Sequence, residues 1–176
     1  MANITLANFG AAAFTGAATA LDVDAVVDLA GLCDTANMPE DMRGLVLKET
    51  YYANLLKDQS VTVFNAYGST GPLQDGKMPR LAGFDLYKST IIPGNGENLV
   101  GFAVHPSALA VAIRYLAPQA GNGYIRAEAL TDATTGITIG VREWYDQDSG
   151  TKKKVWECCY GSAVGIAAGI KRLVSA

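Results

Sequence analysis

The chain has 176 residues, of which 49% are hydrophobic and 18% are charged, and its formal net charge is −3 at pH 7. A chain of this length can bury about 70% of the surface that it exposes when unfolded, so it can form a stable domain without disulfides or metals. The charge argues against direct binding of DNA or RNA, because the only basic runs are Lys152–Lys154 and Lys171–Arg172.

The sequence contains no pattern typical of a membrane or secreted protein. The first residues, MANITLANFG, show no basic segment followed by an apolar core, and no apolar run approaches the roughly 18 residues that span a bilayer. Three cysteines are an odd number, and neighbouring Cys158 and Cys159 would face opposite sides of a strand, which favours free thiols. We therefore expect a cytoplasmic protein with no membrane partner.

The N-terminal part predicts a connector and then a helix. Residues 1–21 are rich in Ala, Thr and Gly and read as an arm or connector. Asp22 is a predicted N-cap, and the helix after it should end near Asn37, since Met38-Pro39 disfavours continuation. Its apolar side is predicted to contain Val23, Val26, Val27 and Ala30.

Two strand–helix units follow in the pattern. Residues 43–47 predict a short buried strand, and residues 49–57 predict a helix with Tyr52, Leu55 and Leu56 on one face. Residues 99–104 predict a strand buried on both faces, and residues 106–116 predict an amphipathic helix that begins at Pro106. Between the units, residues 65–80 predict a surface loop and residues 83–89 a half-buried strand. A turn is predicted at residues 93–96.

The C-terminal part predicts antiparallel strands. After a glycine turn at residues 119–123, strands are expected at residues 124–130, 136–145 and 151–160, and a last one near residues 164–174. If Tyr145 pairs with Thr151 across the loop of residues 146–150, Glu143 faces Lys153, Val141 faces Val155, and Trp156 covers Gly140. The whole pattern is that of a mixed α+β domain with helices flanking a sheet.

Motifs for chemistry are weak in this sequence. The only histidine, His105, could act with Cys158 or Cys159, but no third group is evident to orient it, and its ring more simply caps the following helix. Asp146, Asp148 and Glu157 have the spacing of a calcium loop, but its central glycine is misplaced and Lys152–Lys154 would repel the ion. We expect no catalysis, no cofactor, no required metal and no small-molecule substrate.

Five segments, read in order, resemble the tailed-bacteriophage major capsid (coat) proteins. They are LDVDAVVDLAGLCDTANMPEDMRGLVL, KETYYANLLKD, LAGFDLYKSTIIP, NLVGFAVHPSALAVAIRYL and GITIGVREWYDQDSGTKKKVWECCYG, within residues 21–161. The resemblance implies the Hong Kong 97-type capsid fold. It also implies that residues 22–42 form the end of a spine-like helix, residues 43–130 an axial-like domain, and residues 131–176 a hairpin and strand of a peripheral-like domain.

The resemblance implies a structural role. The chain would be a capsid subunit of a phage or prophage icosahedral shell, with copies of itself as partners and packaged DNA as an indirect one, assembled in the host cytoplasm. Nothing in the sequence resembles the family's N-terminal arm or extended loop, so a truncated form or fragment is implied. We expect residues 1–176 alone to be a monomer or a small ring-like oligomer.

Aromatic residues of the predicted C-terminal hairpin suggest where subunits meet. A two-stranded ribbon cannot bury that much aromatic area locally. The candidate interface residues are Trp144, Tyr145, Trp156 and Tyr160. The alternatives to a capsid subunit are an encapsulin-like compartment shell or, less favoured, a small enzyme that uses His105 with one of the two C-terminal cysteines.

Overall fold

The structure is a computed structural model that describes residues 3–58, 76–78, 80–93, 95–117 and 123–176. The predicted loop of residues 65–80 and the predicted turn of residues 119–123 lie largely outside the described residues, as does Gly94 of the predicted turn at residues 93–96. Three helices are present in the described part: α1 (Leu6–Phe9), α2 (Val23–Thr35) and α3 (Glu49–Leu56). The strands are β1 (Phe14–Thr15), β2 (Gly44–Lys48), β3 (Arg80–Leu81), β4 (Phe84–Ser89), β5 (Leu99–Val104), β6 (Leu109–Arg114), β7 (Tyr124–Thr131), β8 (Thr138–Asp146), β9 (Thr151–Glu157), β10 (Cys159–Val164) and β11 (Ile170–Val174).

The described residues divide into two compact units. Unit 1 contains Met1–Leu109 and Val164–Ala176, and unit 2 contains Ala110–Ala163. The chain therefore leaves unit 1 after Leu109 and returns to it at Val164. The assignment of residues 22–42, 43–130 and 131–176 to spine-like, axial-like and peripheral-like parts stays a prediction.

Unit 1 is built on a six-stranded mixed sheet in the order β1-β11-β5-β2-β4-β3. The pairs β1–β11 and β2–β4 are parallel, whereas β11–β5, β5–β2 and β4–β3 are antiparallel. Five of the six residues of β5 are buried, because this apolar strand has neighbours at both edges and cover on both faces. The prediction for residues 99–104 is confirmed.

Apolar layers cover both faces of this sheet. Leu45 and Leu47 of β2 pack with Leu29 of α2 and Leu55 of α3 in one buried cluster. Phe102 of β5 belongs to a second cluster on the opposite face, together with Ile4, Phe9, Leu99, Ala108 and Ile170. Along β2, Leu45 and Leu47 enter the first layer and Val46 packs against the second, as the pleat requires.

Helix α2 begins as predicted, but its buried side differs. The Asp22 carboxylate accepts a hydrogen bond from the Ala25 backbone N–H at 2.8 Å, so Asp22 is the N-cap. The buried positions are Val26, Leu29 and Cys33. Val27, which the sequence suggested as part of the apolar side, is 53% exposed. The buried stripe follows i, i+3 and i+7 from Val26, which brings the larger Leu29 side chain to the sheet.

The segment predicted as an arm or connector, residues 1–21, is packed on unit 1 over its described part. Ile4, Phe9 and Leu21 are buried. The Glu97 carboxylate accepts the Leu6 backbone N–H at 2.9 Å and pairs with Arg172 at 3.0 Å. Burial and a charge-assisted hydrogen bond together hold this segment in place.

The prediction of a helix at residues 106–116 is wrong. His105 and Pro106 begin only a 3₁₀ turn, Pro106–Ala108, and the chain then continues as strand β6. Leu109, Val111 and Ile113 alternate along this segment, so the same apolar residues satisfy a strand period as well as a helical one. The β-branched Val111 and Ile113 favour the strand.

Unit 2 contains an antiparallel sheet in the order β7-β8-β9 and a two-stranded ribbon formed by β6 and β10. The strands at residues 124–130 and 136–145 are confirmed within about a residue or two at each end. The predicted hairpin register is wrong by one residue, because Asp146 rather than Tyr145 pairs with Thr151. Glu143 therefore faces Lys154, Val141 faces Trp156, and Arg142 faces Val155.

The end of the chain also differs from the prediction. The return strand β9 ends at Glu157, and β10 follows it as a separate strand paired with β6. Of the predicted strand near residues 164–174, only Ile170–Val174 forms β11. A 3₁₀ turn at Ala167–Gly169 precedes it, where the Cβ of a larger residue at Gly169 would lie 2.9 Å from the Ala108 side chain.

Candidate assembly surface

The three-stranded sheet of unit 2 has two different faces. We call them the Trp144 face and the Trp156 face, after the tryptophan that each carries. On the Trp144 face, the rings of Tyr124 and Trp144 make an edge contact with 6.1 Å between centroids and 81° between planes. The guanidinium of Arg142 lies 5.7 Å from the centroid of the Tyr124 ring. Such contacts fix the aromatic rings against one another.

Two residues that follow β6 contact the Trp144 face. Arg142 donates to the Leu116 carbonyl at 3.0 Å and pairs with Glu157 at 2.5 Å. The Tyr115 ring lies directly over Gly140, so that a Cβ there would be 2.6 Å from a ring carbon. Glycine is needed at position 140 because only its missing side chain leaves room for the ring. Trp144 is accordingly half-buried.

The Trp156 face carries a charged cluster at one end. Glu143 is 7% exposed and accepts from the Lys152 Nζ at 2.8 Å and the Lys154 Nζ at 3.1 Å. These two hydrogen bonds lower the pKa of the Glu143 carboxyl. Lys154 also lies 4.9 Å from the centroid of the Trp156 ring. Two lysines thus pair with a nearly buried carboxylate, and one of them also contacts the indole.

The other end of the Trp156 face is apolar. Leu130, Ile139 and Trp156 line a shallow groove there, and Ile137, Thr131, Asp132 and Thr135 complete its wall. Trp156 is 58% exposed, and the aliphatic side chains are also partly exposed. An apolar patch that stays open to solvent is typical of a surface that contacts another protein.

The hairpin loop between β8 and β9 is closed by its own polar groups. The Asp146 carboxylate accepts from the Ser149 hydroxyl at 2.8 Å and the Asp148 backbone N–H at 3.2 Å, and it pairs with Lys153. The hydrogen bond with Lys153 and those with Ser149 and Asp148 lower the pKa of Asp146 to about 2. Over the part of the chain that the structure describes, no group of three or more His, Cys, Asp or Glu side chains could hold a metal ion.

The ribbon of β6 and β10 is the most open element of unit 2. All six residues of β10 are exposed, and so are four of the six residues of β6. Tyr160 and Val111 are 75% and 65% exposed. No charged residue occurs between Cys158 and Ile170. An exposed strand without charge is uncommon in soluble proteins.

Comparison with known proteins finds matches among solved structures. No protein-family model matches the sequence, and no curated protein matches it. The capsid structure of cyanophage P-SCSP1u matches with a TM-score of 0.59 and 20% identity, over 98% of this chain and 50% of that one. A structure from Mycobacterium phage Che8 matches with a TM-score of 0.59 and 19% identity, over 96% of this chain and 54% of that one. The mature capsid of bacteriophage PhiM1 matches with a TM-score of 0.58 and 10% identity, over 92% of this chain and 51% of that one.

The chain has a phage capsid fold. The expected fold class, α+β with a mixed sheet and flanking helices, is confirmed, and the Hong Kong 97-type fold implied by the resemblance agrees with these matches. The chain spans about half the length of the capsid structures that it matches.

Within this capsid fold, the four aromatic residues predicted as an interface do not form one patch. Trp144 lies on one face of the unit 2 sheet and Tyr145 and Trp156 lie on the other, since Trp144 and Tyr145 are neighbours in β8 and Trp156 pairs with Val141. Tyr160 belongs to β10, in the ribbon. The interface itself stays a prediction, and its exposed members are Tyr145, Trp156 and Tyr160.

The histidine of the enzyme alternative has a local structural role, and its two cysteines are free thiols. The Nδ1 atom of His105 is 2.7 Å from the Ser107 hydroxyl and accepts the Ser107 backbone N–H at 3.3 Å. The ring thus caps the 3₁₀ turn that follows it. Cys33 is buried in unit 1, whereas Cys158 and Cys159 are exposed in unit 2, and all three are free. No helix in the described ranges is long and apolar enough to cross a membrane.

Sequence reasoning missed two parts of this exposed apolar surface. Ile137 and Ile139 lie at or near the start of the strand predicted for residues 136–145, but the sequence does not reveal that both side chains stay partly exposed. Val111 was assigned to a helix. One feature of the sequence could have indicated an exposed apolar strand here. The segment from Cys158 to Ile170 has no charge and is too apolar for an exposed loop.

Proposed function

We propose that this chain is a structural subunit, the major capsid protein, of an icosahedral phage or prophage shell that encloses DNA. The observation that carries the proposal is a fold shared with three phage structures over 92–98% of this chain. Similarity of fold alone does not assign function. The open apolar surfaces of unit 2 give independent support, because a subunit that functions in an assembly needs surfaces to bury there.

In this proposal the parts of the chain have the roles that the resemblance implied. Residues 22–42 correspond to the end of the spine helix, residues 43–130 to the axial domain, and residues 131–176 to the return into the peripheral domain. The partners are copies of this chain in capsomers, and the DNA is an indirect partner that the shell encloses. The protein would be part of the virion after assembly in the bacterial cytoplasm.

The role we propose is structural rather than catalytic. His105 is nearly buried and hydrogen-bonded to Ser107, which accounts for a polar ring at this position by its contribution to the turn. Replacing His105 with Ala should cost at most about 2 kcal/mol of stability, as expected for the loss of a cap, and should leave assembly intact.

The proposal is tested in the phage or prophage genome that carries the gene. Deleting the gene should abolish DNA-filled heads, and mass spectrometry of purified wild-type particles should find this chain as their most abundant protein. A deletion strain that still releases DNA-filled particles of normal number would contradict the proposal. A strain complemented with the intact gene is the control.

A further inference from the structure

Helix α2 has an exposed face that carries acidic and aliphatic side chains together. We call it the outer face of α2 and define it by Asp24, Val27, Asp28, Gly31 and Leu32, which the helical period places within an arc of about 140°. Val27 and Leu32 are 53% and 45% exposed. No ion pair with a described residue involves Asp24 or Asp28, and α2 contains no basic residue. The face therefore offers two negative charges beside apolar surface.

Gly31 leaves a notch in this outer face. A Cβ at position 31 would have no atom within 4 Å. Val27 and Leu32 lie on either side of Gly31 around the helix, so the bare backbone is flanked by aliphatic side chains. Within a single copy Gly31 only lowers the stability of α2, because glycine loses more backbone entropy than alanine in a helix. The notch admits a flat ring from another molecule, since no side chain holds that ring away from the backbone.

The Trp156 face of the unit 2 sheet has the complementary features. The Trp156 ring is 58% exposed at the apolar groove. Next to it, the carboxylate of Glu143 is shared by Lys152 and Lys154. Two lysines against one carboxylate leave a single positive charge on this cluster. An exposed ring beside positive charge thus matches a notch beside negative charge.

The spacing of these features also agrees between the two surfaces. On β9, the two lysines lie two and four residues before Trp156, which corresponds to about 7 and 13 Å along a strand. On α2, Asp28 and Asp24 lie three and seven residues before Gly31, which corresponds to about 4.5 and 10.5 Å along a helix. The two sets of distances differ by about 2.5 Å, which the flexible lysine stems can span.

We propose that the Trp156 face of one copy docks on the outer face of α2 in a second copy, with the indole at Gly31 and the two lysines over the two aspartates. This inference rests on the proposed function, because it takes the partner to be another capsid subunit. Charge favours this pairing, since two outer faces of α2 would bring like charges together. The contact joins two different surfaces, so it is head-to-tail and can close a ring. It is small, and it becomes strong only when repeated in an assembly.

Two variants each block one of the two surfaces. Gly31→Gln fills the notch with a residue that favours helix, and Trp156→Ala removes the ring. Each should lower the association constant of the 176-residue protein about tenfold in sedimentation experiments. Gly161→Gln is the control for the first, because it adds the same side chain at an exposed glycine with open space around it. Tyr87→Ala removes an exposed ring outside both surfaces and is the control for the second.

A mixture of the two blocked variants tests the head-to-tail geometry. The Gly31→Gln copy keeps an intact Trp156 face, and the Trp156→Ala copy keeps an intact outer face of α2. The mixture should therefore form heterodimers that do not grow further, because one usable contact remains for each pair. Association of either variant alone at wild-type strength, or a mixture as weak as its components, would overturn the proposal. So would a wild-type protein that stays monomeric at every concentration.

A charge reversal on α2 tests the electrostatic part of the contact. Asp28→Lys should lower the association constant about tenfold at low salt, and the loss should become smaller as salt screens the charges. Asp41→Lys makes the same change in net charge at an exposed residue outside α2 and should leave association unchanged. Equal association constants for Asp28→Lys and the wild type at low salt would contradict the proposed orientation.

The docking proposal and the capsid function fail in different ways. If the intact gene product with Gly31→Gln assembles shells as the wild type does, the docking is overturned and the capsid function stands. If the variants and their mixture behave as expected but deleting the gene leaves DNA-filled heads unchanged, the docking stands and the capsid function fails.

Discussion

Gly101 and Gly31 show how one residue type has opposite roles in unit 1. Gly101 lies in the central strand β5, where a Cβ would be 2.8 Å from the Val46 carbonyl oxygen and 2.9 Å from the Leu47 side chain. Gly31 lies in α2, and a Cβ there would have no atom within 4 Å. The first glycine is needed for close approach of the backbone, whereas the second only lowers helix stability.

We predict opposite effects of alanine at these two positions. Gly101→Ala should destabilise the protein by about 1–3 kcal/mol through overpacking, and Gly31→Ala should stabilise it by about 0.5–1 kcal/mol. Urea unfolding of both variants beside the wild type measures the difference. Equal changes in stability would show that the space around β5 is not as tight as the structure indicates.

We predict that the contribution of Asp146 to stability in the unit 2 hairpin depends on pH. Its pKa in the folded protein, about 2, is below the ordinary value of 3.8, chiefly because of the hydrogen bond with Lys153. A lowered carboxyl pKa contributes stability that is complete above the ordinary value and is lost as the pH falls from about 4 to about 2. The Asp146→Asn variant should therefore be less stable than the wild type above pH 4. The unfolding free energies of the two proteins should converge near pH 2.

Unfolding by urea, followed by tryptophan fluorescence between pH 2 and pH 6, measures this convergence. Asp148→Asn removes a carboxylate from the same loop and is the control. If the difference in unfolding free energy between Asp146→Asn and the wild type stays constant from pH 2 to pH 6, the Asp146 carboxylate does not stabilise the hairpin loop.

At the scale of elements, the two tryptophans of unit 2 should behave differently. Trp144 is half-buried against Tyr124, so Trp144→Ala should cost about 2 kcal/mol or more of stability. Trp156 is mostly exposed beside the apolar groove, so Trp156→Ala should change stability by less than about 1 kcal/mol and mainly weaken association between copies. Thermal unfolding and sedimentation of each variant separate the two effects. A loss of association with Trp144→Ala alone would reverse the assignment.

Elements with one strong signal could be predicted from the sequence. The apolar run at residues 99–104 is too short for a helix and became β5, and Asp22 before an apolar pattern became the N-cap of α2. Local chemistry decides such cases, because a cap or a doubly buried strand needs little information from the rest of the chain.

Other elements depended on tertiary partners that the sequence does not show. Residues 109–114 fit both a helical and an alternating pattern, and pairing with β10 decided for a strand. The predicted hairpin register was wrong by one residue because Glu143 can pair with lysines in either register. In the structure it binds Lys152 and Lys154. In the observed register Trp144 and Trp156 lie on opposite faces of the sheet, so the predicted aromatic interface is divided.

At the scale of the whole molecule, fold and function rest on different observations. The fold follows from agreement with phage capsid structures along nearly the whole chain. The function stays a proposal, and it combines that fold with exposed surfaces among the described residues, chiefly the β6–β10 ribbon and the apolar end of the Trp156 face. Both surfaces belong to unit 2, while unit 1 holds the six-stranded sheet and its two apolar layers.

The central claim is that this fold builds a shell, and electron microscopy of the intact gene product after expression and concentration tests it most directly. We predict closed particles or curved shell fragments, with a mixed six-stranded sheet visible in each subunit. A protein that stays monomeric at every concentration, with circular dichroism showing that it is folded, would contradict the claim.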